Sequence, residues 1–415
     1  MNNCLAFFYI YLFLEGVLRK WIIPGVSGTV LYSIKYLLLI LIAILYYRQT
    51  PRENRIKTPF DNAYRFYAFI VVLSALCVTF AINGFIVGGI TVIQYLSPII
   101  LIYALPEWLN NRRRLNKFIA VGAVIAFVVF ILAFVQYVSP PYALINRYAV
   151  EMKNGIALVG GAARVCSVFS YITPFGDFCI LSVVFTTLLL SVKTNLVTKW
   201  LIVILFVLSM LGGFMTGSRS VVLLSSIVIL CASIHQCVQK KNPKLIIIIT
   251  CIIGAGYTYY NSNGIIAVDN FLERVEEASY DVDTRVSRNF DIMRVFDHAG
   301  AFGNGVGIAN LSVQSFLIRP SLIDFEEEIG RVMIEFGFIG FLLVSIIRLY
   351  TLIQMFKISK SVDDKYLSAL SWATTIAIAP MVFYAQMCLY NWFAYMVFFT
   401  MIGLNLAINR IDSYE

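Results

Sequence analysis

The chain has 415 residues, 60% of them hydrophobic and only 13% charged, whereas a soluble domain carries roughly 45–50% apolar and about 25% charged residues. That excludes a water-soluble globule and predicts an all-α polytopic membrane protein. The net charge of +9 alternates with apolar runs and forms no basic stripe, which excludes a nucleic-acid partner; the eight cysteines show no CxxC or zinc spacing and read as packing thiols.

A crossing needs about 20 apolar residues. In chain order such runs lie near 4–18, 29–47, 64–83, 85–105, 115–138, 172–192, 198–215, 220–237, 245–261, 331–350, 366–387 and 391–408, twelve in all. The first has no basic residues before it and no small-residue cleavage site, so it reads as an uncleaved helix. The alternate connections carry Arg48, Arg52, Arg55 and Lys57; Arg112, Arg113, Arg114 and Lys117; Lys193 and Lys199; Lys240, Lys241 and Lys244; Lys357, Lys360 and Lys365. The turns near Asn83 and Tyr390 carry none. By the positive-inside rule both termini are cytoplasmic. Two long segments then lie outside, 139–171 and 262–330, and the second holds 12 of the 23 acidic residues.

Outer cations are mostly arginine, whose planar fork takes phosphate or carboxylate bidentately. The plainer explanation for any one of them is a pairing with a loop acid. Arg164 precedes the sixth run. Arg219, in MTGSRSVV, stands where a helix begins, a position that favours anions, although an arginine there also snorkels to headgroups. Lys35 lies inside the second run, where a cation is costly; it is either functional or braced by Glu15, with Arg19 able to pair with Glu15 on the same helix face. The stretch Asp283 to His298 predicts a helix that Asp281 or Asp283 caps and Gly300 stops, bearing Arg285, Arg288 and Arg294 with Asp291 between the last two. Asp281-Val-Asp283 has the form of a metal-binding DxD, but two acids at a helix start are ordinarily caps. His298 is either functional or a loop hydrogen-bonder. GNGVG is no dinucleotide fingerprint; its backbone N–H groups are open to an anion. Last, IDFEEEIGRVMIEFGFIG crowds Asp324, Glu326, Glu327, Glu328, Arg331 and Glu335 at the entrance of the tenth run. Acids there suit the helix dipole, yet a partly desolvated carboxylate also suits a general base. Glu328 and Glu335, seven apart, share a face with Arg331.

The strings EGVLRKWIIPG, LYSIKYLLL, RVCSVFSYITPFGDF, TGSRS, GNGVG and EEEIGRVMIEFGFIG, in this order and with a large outer loop before the tenth run, resemble the O-antigen polymerase and ligase group of bacterial envelope enzymes. The resemblance spans nearly the whole chain. It implies a GT-C-like membrane fold in the bacterial inner membrane and an inverting, metal-independent glycosyltransferase that needs no cofactor. The substrate would be an undecaprenyl-diphosphate-linked oligosaccharide amid membrane lipids, with a chain-length regulator and a flippase as partners. The group's loop arginines correspond to Arg164, Arg219, Arg288 and Arg294, and Arg285, Arg331 and Lys35 join them as candidate diphosphate ligands. Asp324, Glu327, Glu328 and Glu335 are the candidate bases. Ligases of the group carry a histidine just before the late-span entrance, where Glu326 to Glu328 stand here, which favours polymerase. A lipid-linked oligosaccharide flippase is the competing class, expected to spread its ionisable residues through a central cavity.

Overall fold

A computed structural model of the chain describes residues 1–24, 28–149, 156–238, 249, 250, 253, 265–278, 292–309, 313, 317, 328–383 and 391–414. The described residues are mostly helical, and among them seven stretches are long and apolar enough to cross a membrane: Val30–Gln49, Asp61–Trp108, Arg112–Val138, Ile172–Leu190, Leu196–Met215, Glu328–Ser361 and Trp392–Tyr414. In hydrocarbon every backbone polar group must find its partner within the protein, and helices do this segment by segment. The elements are α1 (Asn2–Val17), α2 (Gly28–Gln49), α3 (Asp61–Ser74), α4 (Phe80–Leu96), α5 (Ile100–Trp108), α6 (Arg112–Val138), α7 (Ile172–Leu190), α8 (Leu196–Met215), α9 (Arg219–Val238), α10 (Ile266–Ala278), α11 (Ile292–Ala299), α12 (Glu328–Ser361), α13 (Lys365–Val382) and α14 (Trp392–Tyr414). A two-residue hairpin, β1 (Leu158–Val159) with β2 (Ala162–Ala163), lies between α6 and α7.

The 48-residue stretch Asp61–Trp108 is not one rod. A straight helix would hold Asp61 and Tyr103 about 60 Å apart, yet Tyr103 Oη donates to Asp61 Oδ1 at 3.0 Å. Tyr67 Oη and the carbonyl of Tyr95 likewise meet the same hydroxyl, that of Tyr395, at 3.2 and 2.6 Å. The chain therefore reverses between them, at Gly84, whose φ of +82° and ψ of 172° interrupt α4. This is the turn expected near Asn83.

A second reversal departs from expectation. The run expected over 331–350 falls within Glu328–Ser361, a stretch long and apolar enough to cross, but it folds back on itself at Gly337 (φ +73°, ψ 178°). Glu328 and Arg348 would be about 30 Å apart on a straight helix, but their side chains form an ion pair. Residues 328–336 are thus a half-helix lying antiparallel to 338–361. The break frees backbone groups, and the GAFGNGVG loop takes them up. Instead of bonding to each other, Phe338 and Ile339 donate to the carbonyls of Gly300 and Ala301 (3.1 and 3.2 Å), while the carbonyls of Ile334 and Glu335 accept from Asn304 and Gly305 (2.7 and 3.1 Å). The backbones touch so closely that a Cβ on Gly337 would lie 2.3 Å from the carbonyl oxygen of Ala301.

The bundle has two distinct ends. At one, basic connections are tied down by Arg112–Asp364 (3.3 Å) and Arg410–Glu107 (2.9 Å). At the other lie both reversals, the hairpin, the α8–α9 turn and the start of α14. Between them α12, α13 and α14 are joined by hydroxyl and amide contacts of Ser359, Ser371, Thr375 and Asn405, the kind of polar bond that holds helices together where lipid offers no hydrophobic drive.

Asp364 caps α13 through the N–H groups of Tyr366 and Leu367 (2.9 and 2.8 Å). Desolvation pushes its carboxyl up, but the Leu367 N–H, the Arg112 guanidinium and the Tyr366 N–H together hold it below the ordinary value of 3.8. Asp364→Ala is expected to cost about 1 kcal/mol in detergent unfolding. Because the folded value is depressed, that loss is full above pH 3.8 and fades as pH falls through the folded value; a loss that grew on acidification would refute it.

Candidate functional site

The hairpin is what builds the site at the loop end. Arg164, directly after β2, donates its N–H to Ala157 O at 2.9 Å and lends its carbonyl to Tyr148 Oη at 2.6 Å. Its Nε then donates to Thr216 O at 2.8 Å, and Val165 N–H bonds Met215 O at 3.2 Å. Arg164 is thereby fixed to the α8–α9 turn, three residues before Arg219 opens α9. Two arginines that lie 55 positions apart in sequence share one turn. α10 covers the hairpin: its Asn270 donates to Tyr137 Oη at 3.0 Å and packs on Gly160. Burial pushes the Tyr148 hydroxyl well above its ordinary value, so Tyr148 stays a neutral donor.

The candidate carboxylates have firm partners. Glu335 is fully buried; its Oε2 accepts from Tyr95 Oη at 2.5 Å and its Oε1 from Ala309 N–H at 3.0 Å. Glu328 is paired with Arg348, which also reaches Met381 O at 3.3 Å. Arg331, between them on the half-helix, is half-buried. The anion-binding reading of the GNGVG N–H groups is corrected at Asn304 and Gly305, whose N–H groups bond to carbonyls of the broken helix. His298 is exposed at the end of α11, which stops at Gly300 as expected. Arg294 lies on α11. Arg285, Arg288, Asp281, Asp283, Asp291, Asp324, Glu326 and Glu327 lie outside the described residues, as does most of the run expected at 245–261.

Lys35 is engaged. Glu15 takes Lys35 Nζ at 2.9 Å and Arg19 at 3.2 Å, and Lys35 Nζ stands 3.5 Å above the Tyr32 ring. The brace between Lys35 and Glu15 therefore exists.

No protein-family model matches the chain, and no curated protein matches it.

Asp177 is a buried acid that the sequence expectations do not include. It sits in the second turn of α7, 5% exposed, and its Oδ2 accepts from Asn391 Nδ2 at the start of α14. Its Oδ1 has no hydrogen-bond partner among the described residues, and the residue lines a cavity of ≈ 10 Å³ with Pro380 and Met381. One acid in an apolar window was the available signal, since intramembrane ionisable residues are rare and costly. Arg348 carried the same signal, and it borders a cavity of ≈ 20 Å³ with Tyr67 and Tyr395.

Proposed function

We propose that the chain is a polysaccharide polymerase of the bacterial inner membrane, with twelve crossings, a GT-C-like arrangement and both termini cytoplasmic. It would be an inverting, metal-independent glycosyltransferase that moves a growing glycan from undecaprenyl diphosphate onto an undecaprenyl-diphosphate-linked repeat unit. The observation that carries this reading is the convergence of Arg164 and Arg219 on one turn at the end away from the basic connections. There the two guanidinium groups would meet a diphosphate at the outer leaflet. In the reaction an acceptor hydroxyl attacks the anomeric carbon, its proton passes to a carboxylate, and the C–O bond to the diphosphate breaks with its electron pair leaving on phosphate. Arginine neutralises charge where it develops. Because Glu328 and Glu335 each have a structural partner, the base falls to Asp324 or Glu327. Transfer to a lipid A-core acceptor, the ligase variant, would use the same chemistry.

A second reading, a lipid-linked oligosaccharide flippase, is favoured by the ionisable residues held inside the bundle: Glu15, Lys35, Asp177, Glu328, Glu335 and Arg348. Purified protein in liposomes with lipid-diphosphate-linked repeat units separates the two. Chain elongation without nucleotide sugar is expected, whereas movement of label without elongation would favour the flippase. Arg219→Lys keeps the charge and loses the fork, and it is expected to lower elongation by about 10²–10³-fold while the protein still inserts. Wild-type chain lengths in that variant would remove Arg219 from the mechanism.

A further inference from the structure

Among the described residues Ser167 is the one residue other than glycine with a positive φ, +49°, and it is fully buried. A left-handed backbone is costly for a residue with a Cβ and persists only where its surroundings over-determine it, a condition met most often at functional sites. Here the surroundings are explicit. Gln136 of α6 grips the residue from both sides: its Oε1 accepts from Ser167 N–H at 2.7 Å and its Nε2 donates to Ser167 O at 3.3 Å, while Ser167 Oγ donates to Val129 O at 2.6 Å. The remaining bond comes from α1, which runs on into a π-helical turn, Leu18–Ile22. From that turn Lys20 Nζ donates to the same carbonyl of Ser167. Stability gives little reason for a lysine at this place. Lys20 is 0% exposed, and its other neighbours, Cys166 Sγ at 3.4 Å and the Trp21 ring at 4.2 Å, offer no counter-charge. An amino group sealed from water in this way is costly, and an apolar side chain of similar volume avoids the cost. What such a side chain cannot do is hold the carbonyl of Ser167.

Three residues before Ser167 stands Arg164, whose Nε bonds Thr216 O while the next N–H, that of Val165, bonds Met215 O. Residues 164–167 are thus a short strut, pinned to the α8–α9 turn at one end and to α1 and α6 at the other. The left-handed residue sets the direction in which the strut leaves its anchor. We propose that Lys20 is a positioning residue, which holds Ser167 in its left-handed conformation and thereby fixes the place of Arg164 beside the α8–α9 turn. That Arg164 then serves glycan transfer rests on the polymerase reading; that Lys20 sets its place does not.

Lys20→Met in the purified full chain tests this. Its thermal unfolding in detergent is expected at the wild-type temperature or above, because a sealed amino group has been replaced by an apolar side chain. Hydrogen exchange of the peptide 164–170 is nevertheless expected to quicken about tenfold, as the strut loses one of its bonds. Elongation is expected to fall about 10–100-fold, mainly in kcat, since a displaced arginine is missed where charge develops. The Lys20→Met/Ser167→Gly double variant separates positioning from bracing. Glycine adopts a positive φ without strain, so the bonds from Gln136 suffice to keep the turn, and both exchange and rate are expected to return toward wild type. A purely structural lysine would not be rescued in this way. Wild-type exchange in Lys20→Met, failure of that variant to fold, or absence of rescue in the double variant would each overturn the proposal. Exchange is read without substrate. A wild-type chain that elongated no glycan would therefore remove the polymerase reading and leave the positioning of Arg164 to be decided by exchange alone.

Discussion

Gly337→Ala is expected to lose more than about 4 kcal/mol of stability, while Gly84→Ala loses only about 1–3 kcal/mol. Both glycines hold nearly the same backbone, φ +73° and +82° with ψ close to 180°, a region essentially closed to other residues. That strain is common to the two variants. What differs is the surroundings: a Cβ at Gly84 meets nothing within 4 Å, whereas at Gly337 it would stand 2.3 Å from Ala301 O and 2.4 Å from Gly303 N. These are backbone atoms fixed by four hydrogen bonds, so they cannot give way as a side chain would. Thermal unfolding in detergent compares the two directly. Equal losses would sink the proposed docking of the loop on the broken helix.

The second large effect concerns Glu328 and Arg348. Both are almost fully buried, 1% and 4% exposed, and removing one partner leaves the other charged without its counterpart. Arg348→Met alone is expected to cost about 3–5 kcal/mol. The Glu328→Gln/Arg348→Met double variant is expected to recover most of that loss, since an uncharged pair of similar volume avoids the desolvation cost. A double variant as unstable as the single one would show that the pair is not the source of the effect. The same protein tests catalysis: if it folds and still elongates glycan, Glu328 is not the base.

The long helices are legible in the sequence because hydropathy and length determine them. The runs expected at 115–138, 172–192 and 198–215 appear as α6, α7 and α8 with ends within three residues, and the turn beside Asn83 lies at Gly84. The half-helix is not legible. Apart from Glu335, residues 332–347 are uncharged on both sides of Gly337, so an average over the window cannot register a reversal made by a single residue. At the site, the arginine pair is legible as residue types but not as neighbours, because the hairpin that joins Arg164 to Thr216 is only two residues per strand. By spacing, Glu328 and Glu335 form one acidic face; the structure turns them to different partners, Arg348 and Tyr95. Asp177 gives little warning because its partner, Asn391, lies 214 positions away.

The loop that completes the broken helix has a consequence for how the chain is made. Residues 300–305 leave the ribosome before 328–339, and chains assemble largely in the order of synthesis. When the half-helix arrives at the bilayer, the donors and acceptors that its opened turn requires are already waiting in the preceding segment. The loop 300–305 thus supplies backbone partners to the helix that follows it. A deletion there would be felt first as a defect in biogenesis, with the last three long helices left without a completed predecessor, before any effect on chemistry could be measured.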